Sequence, residues 1–275
     1  MPGVHYKTTG LIIVENRQPL ISVITISFNS RDFIEKTIQS VLNLNYKNIE
    51  YVFVDGLSTD GTPHIIESFF PIFKELDIRY KYISESDSGI YHAMNKGLNL
   101  STGDSVIFMN AGDSFHSDFD LQDLVSHFNL FSYVVIGYSI QFHNSDYYLR
   151  PNPEYEENMI RYPAHQSTFI PRMYYKVYLF DEQYKIAGDY FWMKKILETA
   201  TYKLYKKVVS IFELGGKSSS SKLKDIIQLH KETNEGFIWP KIGLKFLIFQ
   251  LLGKRLTFKL MYSKKYKKIP DLRVV

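Results

Sequence analysis

The sequence predicts an α/β fold, a mostly parallel central sheet flanked by helices with a helical extension at the C-terminus, and three observations carry that prediction. Short apolar runs rich in β-branched residues alternate with helix-patterned segments from Leu20 to Met109. Polar residues stand directly behind each apolar run, and 275 residues with 45% hydrophobic content can bury one large core.

The first run, Leu20 to Ser27, is nearly continuous in apolar residues, as a strand buried on both faces requires. A helix follows, with Asp32 and Glu35 spaced as a capping box and Phe33, Ile34, Thr37, Ile38, Val41 and Leu42 on one face. The alternation continues through a strand at Ile49 to Val54, a loop at Gly56 to Gly61, a helix at Thr62 to Phe70 and a strand at Arg79 to Ser84. A helix at Ile90 to Leu100 and a strand at Val106 to Met109 complete a βαβαβαβ order, in which ligands bind at the carboxyl ends of the strands.

Beyond Phe115 the pattern loosens. A helix is expected at Leu121 to Phe131, strands at Tyr133 to Phe142 and Tyr147 to Leu149, and a loop at Pro151 to Pro153. A further helix begins at Asp189, a strand ends at Phe212, and SSSSKLKD reads as a hinge into a helix from Leu223. The expected division is an N-terminal extension over 1–18, the main domain over 19–221 and a basic, amphipathic helical tail over 222–275.

The absence of cysteine rules out disulfides, thiolate metal sites and a Cys nucleophile, so any metal is held by oxygen or imidazole and a reducing, cytoplasmic setting is expected. The first residues carry only a short apolar stretch, Leu11 to Val14, with Glu15 behind it, so no export signal is expected. The net charge of +4 is modest and concentrates in Lys254, Arg255, Lys259, Lys264, Lys265, Lys267 and Lys268. No nucleic-acid partner is expected.

Four segments behind strands carry the chemistry. Asp55 closes an apolar run in VDGLSTDGT; ligand contact is the favoured reading over an Asx turn, whereas Asp60 reads as a turn residue. SESDSGIYHAMNKGL is a polar loop entering a helix that carries His92, Asn95 and Lys96, and helix N-termini attract phosphate. Asn110 and Asp113 in MNAGD form the best metal candidate, since Mg²⁺ and Mn²⁺ often take one or two carboxylates and fill the rest with phosphate oxygens and water; an ordinary turn also fits. Asp189 in AGDYF reads either as an N-cap or as a general base whose pKa is raised by partial burial.

Taken in order, SVITISFNS, VDGLSTDGT, SESDSGIYHAMNKG, MNAGD, HQSTF, AGDYF and FELGGKSSS resemble the family 2 glycosyltransferases of GT-A fold, most closely bacterial members that build exopolysaccharides of the colanic-acid type. The resemblance implies an inverting transferase acting on a nucleotide-sugar donor, with UDP favoured and GDP open, and on a saccharide or lipid-linked acceptor. It implies that Ser27, Asn29 and Asp55 bind the donor base and ribose, that Asn95 and Lys96 lie by the donor, and that Asp113 ligates Mn²⁺ or Mg²⁺ with Asn110 alongside. Asp189 matches the family's base, His165, Gln166, Tyr190 and Trp192 fall on the acceptor or sugar side, and Gly215-Gly216 closes the pattern. Two positions depart from it: Asn110 stands where the first acid of the metal motif is expected, and His92 where Asp is common.

A non-catalytic nucleotide-sugar-binding or scaffolding protein is the alternative from another class. The tail segment Phe237 to Lys268 is too short in uncharged run to cross a bilayer, which needs about 20 residues. It fits equally a helix lying at an anionic membrane surface and a helix packed on the core.

Overall fold

The computed structural model describes residues 17–143, 146–150, 163–213, 223–233 and 267–269. In chain order the elements are β1 (Ile21–Ser27), α1 (Arg31–Leu42), β2 (Ile49–Asp55), α2 (Thr62–Ser68), α3 (Phe70–Glu75), β3 (Arg79–Ser84), α4 (Ile90–Leu100) and β4 (Ser105–Phe108). There follow β5 (Ser114–Phe115), α5 (Leu121–His127), β6 (Val134–His143), β7 (Asp146–Arg150), β8 (Thr168–Pro171), α6 (Arg172–Tyr175), α7 (Gly188–Leu197), β9 (Tyr202–Glu213), α8 (Leu223–Thr233) and β10 (Lys267–Ile269).

The sheet runs β10-β7-β6-β8-β4-β1-β2-β3, with β9 pairing both β5 and β6. β3, β2, β1 and β4 are mutually parallel, as the βα alternation requires, and β8 joins β4 antiparallel. Alternate residues of the central strands feed two cores: Ile21, Val23, Tyr51 and Phe53 meet α1, α3 and α5 on one face. Ile24, Ile26, Val52 and Val54 meet α4 and α7 on the other. Burial on both faces explains why these strands read as continuous apolar runs.

Several local expectations are corrected. Helix α1 begins at Arg31 behind Ser30 and is not capped by Asp32 or Glu35. Its entry is held from the neighbouring loop instead, where Thr62 Oγ1 accepts the Ser30 N–H at 2.8 Å and Asp60 accepts the Arg31 N–H at 2.9 Å. Phe33 is exposed rather than part of the buried face. The segment expected as one helix to Phe70 breaks into α2 and α3, the second carrying Pro71 in its first turn, where a missing N–H costs nothing. The expected helix to Phe131 stops at His127. In the tail, Lys267–Ile269 is a strand paired with β7, not helix. The remainder of the expected membrane-surface segment, the hinge at 218–222, Gly215-Gly216 and Pro151 to Pro153 lie outside the described residues.

Glu50 opens β2 with only 2% of its surface exposed. It accepts from Ser22 Oγ at 2.5 Å, Thr102 N and Thr102 Oγ1 at 2.7 Å each, and pairs with Lys81 at 2.8 Å. Burial opposes its charge, but these donors outweigh burial and hold its carboxyl below the usual 4.5. Its contribution is therefore present above the unfolded value and lost as pH falls through the folded one. Glu50→Gln is expected to cost about 1–3 kcal/mol at pH 7, because buried donors lose their charged partner, with the gap to wild type narrowing below pH 4.5. Urea unfolding of both proteins across pH measures it, and a gap constant with pH would contradict the assignment.

Candidate active site

The polar loops behind β1, β2 and β4 open on one end of the sheet. At the end of β2, Asp55 has no exposed surface. Oδ1 accepts from Ser27 Oγ at 2.9 Å and Ser58 Oγ at 2.6 Å, while Oδ2 accepts from Ser58 N and Ser84 Oγ at 2.8 Å each. Four donors fill both oxygens, and through them Asp55 ties the ends of β1, β2 and β3 together beneath the rim that faces outward. Ser27 is spent on Asp55. Asn29, in the left-handed region at φ 47°, joins this rim by accepting the Thr59 N–H at 3.0 Å and donating its own N–H to Ser58. Asp60 is the turn residue the sequence predicts, accepting from Thr62 N and Oγ1. Phe28 and Leu57, 65% and 56% exposed, present apolar surface here that the motifs did not single out.

Helix α4 departs from the donor-side expectation. Asn95 is buried, its amide donating to Phe180 O at 2.9 Å and to Glu182 at 2.8 Å and accepting from Phe180 N, so it fastens the 180–182 loop rather than facing a ligand. Lys96 is paired with Glu85 at 2.9 Å and donates to Ser86 O at 2.7 Å, which compensates its charge inside the loop it was expected to lend to a diphosphate. His92 accepts the Ser88 N–H at 3.0 Å and fastens the loop ahead of the helix.

A second cluster gathers at the end of β4. The turn Asn110–Asp113 closes through Asp113 N to Asn110 O, with Gly112 at φ 101°, a conformation that favours glycine. Gln166 donates to the Asp113 carboxylate at 3.0 Å, and His165 Nε2 lies 3.3 Å from Asn110 Nδ2. The other ring nitrogen of His165 is 3.6 Å from Asp189 Oδ2, and Tyr91 Oη lies 3.5 Å from Asp189 Oδ1. Three stretches far apart in sequence thus converge: MNAGD, HQSTF and AGDYF.

The two carboxylates are pushed in opposite directions. Burial drives Asp113 up to about 6 against the pull of His165, Gln166 and Lys36. Asp189 also feels burial, but the hydrogen bond and charge of His165, the Tyr190 N–H and Arg150 overcome it and hold the carboxyl below its ordinary value. The expected raised pKa is therefore corrected: with 41% of its side chain exposed, Asp189 is ionised at neutral pH. It sits in the first turn of α7 and is not the N-cap, which is Ala187. Tyr190 is half-buried beside it. Trp192, expected to face a sugar, is 2% exposed, donates to Tyr178 O at 2.8 Å and stacks on Phe180 at 4.3 Å between ring centroids, so it belongs to the core.

Among the described residues no three His, Asp or Glu side chains converge as a metal cage. The Oδ1 of Asn110 is nevertheless buried with no hydrogen-bond partner, next in the same turn to the Asp113 carboxylate. A carboxylate plus an unsatisfied amide oxygen suits a hard divalent cation whose other ligands come from phosphate and water.

The fold and this site define a GT-A type α/β protein with its polar machinery at the strand ends. Residues 22–200 match Glycosyl transferase family 2, and the chain belongs to that family. Its fold resembles Staphylococcus aureus TarS 1–349 in complex with UDP-GlcNAc, with a TM-score of 0.61 and 20% identity over 88% of this chain and 75% of that one. It likewise resembles the mannosyltransferase PcManGT from Pyrobaculum calidifontis in complex with GDP-Man and Mn²⁺, at 0.60 and 16% over 90% and 76%. Among curated relatives, the putative teichuronic acid biosynthesis glycosyltransferase TuaG of Bacillus subtilis is 39% identical over 38% of this chain, and the match spans 40% of TuaG's own length. An uncharacterized glycosyltransferase of Haemophilus influenzae is 26% identical over 82% of this chain and 76% of that protein. No helix among the described residues is long and apolar enough to cross a membrane.

Because Asp113 is raised in the folded state, its folded form holds the extra proton between pH 3.8 and about 6, and the stability that proton protects is lost as pH rises through that window. In chelator, Asp113→Asn is therefore expected to melt a few degrees above wild type at pH 7.5 and level with it below pH 3.8, provided both remain folded. Calorimetry across pH checks the sign; a variant that melts below wild type at pH 7.5 would show that the carboxylate is not a buried liability.

Proposed function

We propose that this protein is an inverting glycosyltransferase that moves a sugar from a nucleotide-sugar donor to the hydroxyl of a saccharide or lipid-linked saccharide acceptor. The observation that carries the reading is the placement of an ionised, half-exposed Asp189 beside His165, across the same cluster that holds Asp113 and Asn110. Two carboxylates whose pKa values are driven apart suit two roles: Asp189, ionised and open to solvent, is equipped to take a proton, and Asp113, whose charge burial makes costly, to gain from a cation that offsets it.

In the proposed reaction the acceptor oxygen forms a bond to the anomeric carbon as the bond from that carbon to the diphosphate oxygen breaks. The acceptor's proton passes to Asp189, and the nucleoside diphosphate departs. Asp113 and the free Asn110 oxygen would hold Mn²⁺ or Mg²⁺, which when bound offsets charge on the leaving diphosphate. Asn29 and the rim organised by Asp55, which Ser27 anchors from β1, bind the nucleoside, with exposed Phe28 offering a ring face to the base. His165, Gln166 and Tyr190 line the sugar side. Lys96 acts by holding the loop at Glu85 and Ser86.

A UDP-sugar is the favoured donor, supported by the UDP-GlcNAc complex of TarS, and the GDP-Man complex of PcManGT keeps a GDP-sugar in the comparison. The name of TuaG, a putative teichuronic acid biosynthesis glycosyltransferase, supports a place in bacterial polysaccharide synthesis.

Nucleotide release from UDP-, GDP- and dTDP-sugars with Mn²⁺ or Mg²⁺ tests the proposal. Asp189→Asn is expected to lower kcat by about 10²–10⁴ while calorimetric donor affinity stays within a few-fold, and Asp113→Ala to weaken cation-dependent donor binding. Wild-type turnover retained in Asp189→Asn removes the base assignment. Donor binding without turnover on any acceptor offered favours a non-catalytic binding protein.

A further inference from the structure

Asp189 reaches its position through a short segment whose backbone is held from both sides. On one side Tyr91 of α4 donates to Ile186 O at 2.7 Å, and its ring lies so close to Gly188 that a Cβ there would stand 2.7 Å from it. On the other side stands Glu232, on α8, from the region the sequence assigns to a separate tail. Glu232 Oε1 accepts the Lys185 N–H at 2.6 Å, and Oε2 accepts the N–H groups of Ile186 at 3.0 Å and Ala187 at 2.7 Å. Gln228, one turn earlier on α8, donates to Oε1 at 2.7 Å and steadies the carboxylate.

No side chain caps the start of α7, and its N-terminal N–H groups are an electropositive end without intrahelical partners. A carboxylate that collects three consecutive N–H groups just ahead of that end fixes the entry of the helix in a way no neutral side chain could. The peptide units of Ile186 are thus clamped by α8 through the N–H and by α4 through the carbonyl, three residues before Asp189.

We propose that Glu232 is a positioning residue for the transfer reaction: by gathering the backbone of Lys185, Ile186 and Ala187 it sets the first turn of α7 and aims the Asp189 carboxylate between His165 and Tyr91. The inference rests on Asp189 being the base. It makes α8 part of the working site and not an appendage, since a displacement of about 1 Å at a reacting group can cost about 10²-fold in rate.

The test compares full-length wild type, Glu232→Ala, Glu232→Gln, and Lys231→Ala as a control on the same helix, in two measurements. Hydrogen exchange by mass spectrometry follows peptides spanning 184–191, and steady-state nucleotide release follows UDP-GlcNAc and GDP-Man with Mn²⁺. Glu232→Ala is expected to lose protection locally at 185–190 and to lower kcat by between about 10- and 100-fold, with donor KM within about 2-fold. Glu232→Gln, which keeps the shape and one acceptor oxygen, falls between, and Lys231→Ala matches wild type.

Unchanged protection at 185–190, or lost protection with kcat intact, overturns the proposal. So does a loss of protection spread evenly over the protein, which marks a general stability role; if Glu232→Ala does not fold, Glu232→Gln carries the comparison. The underlying reading fails separately: Asp189→Asn turning over like wild type removes the base and leaves Glu232 nothing catalytic to position. If wild type releases nucleotide from neither donor, the transferase reading falls, and exchange alone decides whether Glu232 holds this segment.

Discussion

The arrangement depends on two buried carboxylates at opposite ends of one strand. Glu50 opens β2 and Asp55 closes it, and a carboxylate taken out of water must be given donors or become too costly to keep ionised. Each is satisfied by residues of the strands on both sides: Glu50 by Ser22 of β1 and Lys81 of β3, Asp55 by Ser27 of β1 and Ser84 of β3. Ser22 faces Glu50 and Ser27 faces Asp55 in the β1–β2 register, so a slip of one residue would strand both charges at once. Hydrophobic pattern alone specifies register weakly in strands buried on both faces, where every position is apolar. Here the polar ends supply what the apolar middle lacks.

That clamp decides where the chemistry stands. With β1, β2 and β3 ending level, the loops behind them form one rim, and β4, paired to β1, carries Asn110 and Asp113 to the same end. Thr37 of α1 accepts the Gly112 N–H and donates to Asp113 O, so the turn bearing Asp113 is held to the core helix as well as to the sheet. Precision at the site comes from packed elements, with the loops contributing only their last few residues.

The order and type of the elements in the parallel half were legible in the sequence because periodicity is a local property: strand after strand falls within a residue or two of the apolar run that announced it. The convergence of MNAGD, HQSTF and AGDYF at one place was legible only through the family resemblance, since no local pattern ties Asn110 to His165 or His165 to Asp189. Misassignments cluster where a polar or aromatic side chain finds its partner far along the chain. Asn95 and Trp192 sit in segments that look like site motifs, yet one serves the 180–182 loop and the other packs on Phe180. Neither Phe180 nor Glu182 carries any signal that names its partner. Glu232 is silent in the sequence for the same reason: three of its four acceptor contacts are to backbone, which has no sequence signature.

The departure at Asn110 is consistent with the electrostatics around it. A second acid in that position would bring another negative charge into a turn where burial already drives Asp113 toward protonation, and like charges so close raise each other's pKa further. The amide keeps an oxygen for a cation without adding that repulsion, and its other end stays beside His165, whose ring in turn helps keep Asp189 ionised. Asn110, His165 and Asp189 therefore form a line of contacts from the strand end to the start of α7, joining the surroundings of two carboxylates whose pKa values are driven apart. A site that must both accept a proton and neutralise a departing diphosphate is served by that separation, because the carboxylate that meets a cation and the one that meets the acceptor then stand in different surroundings.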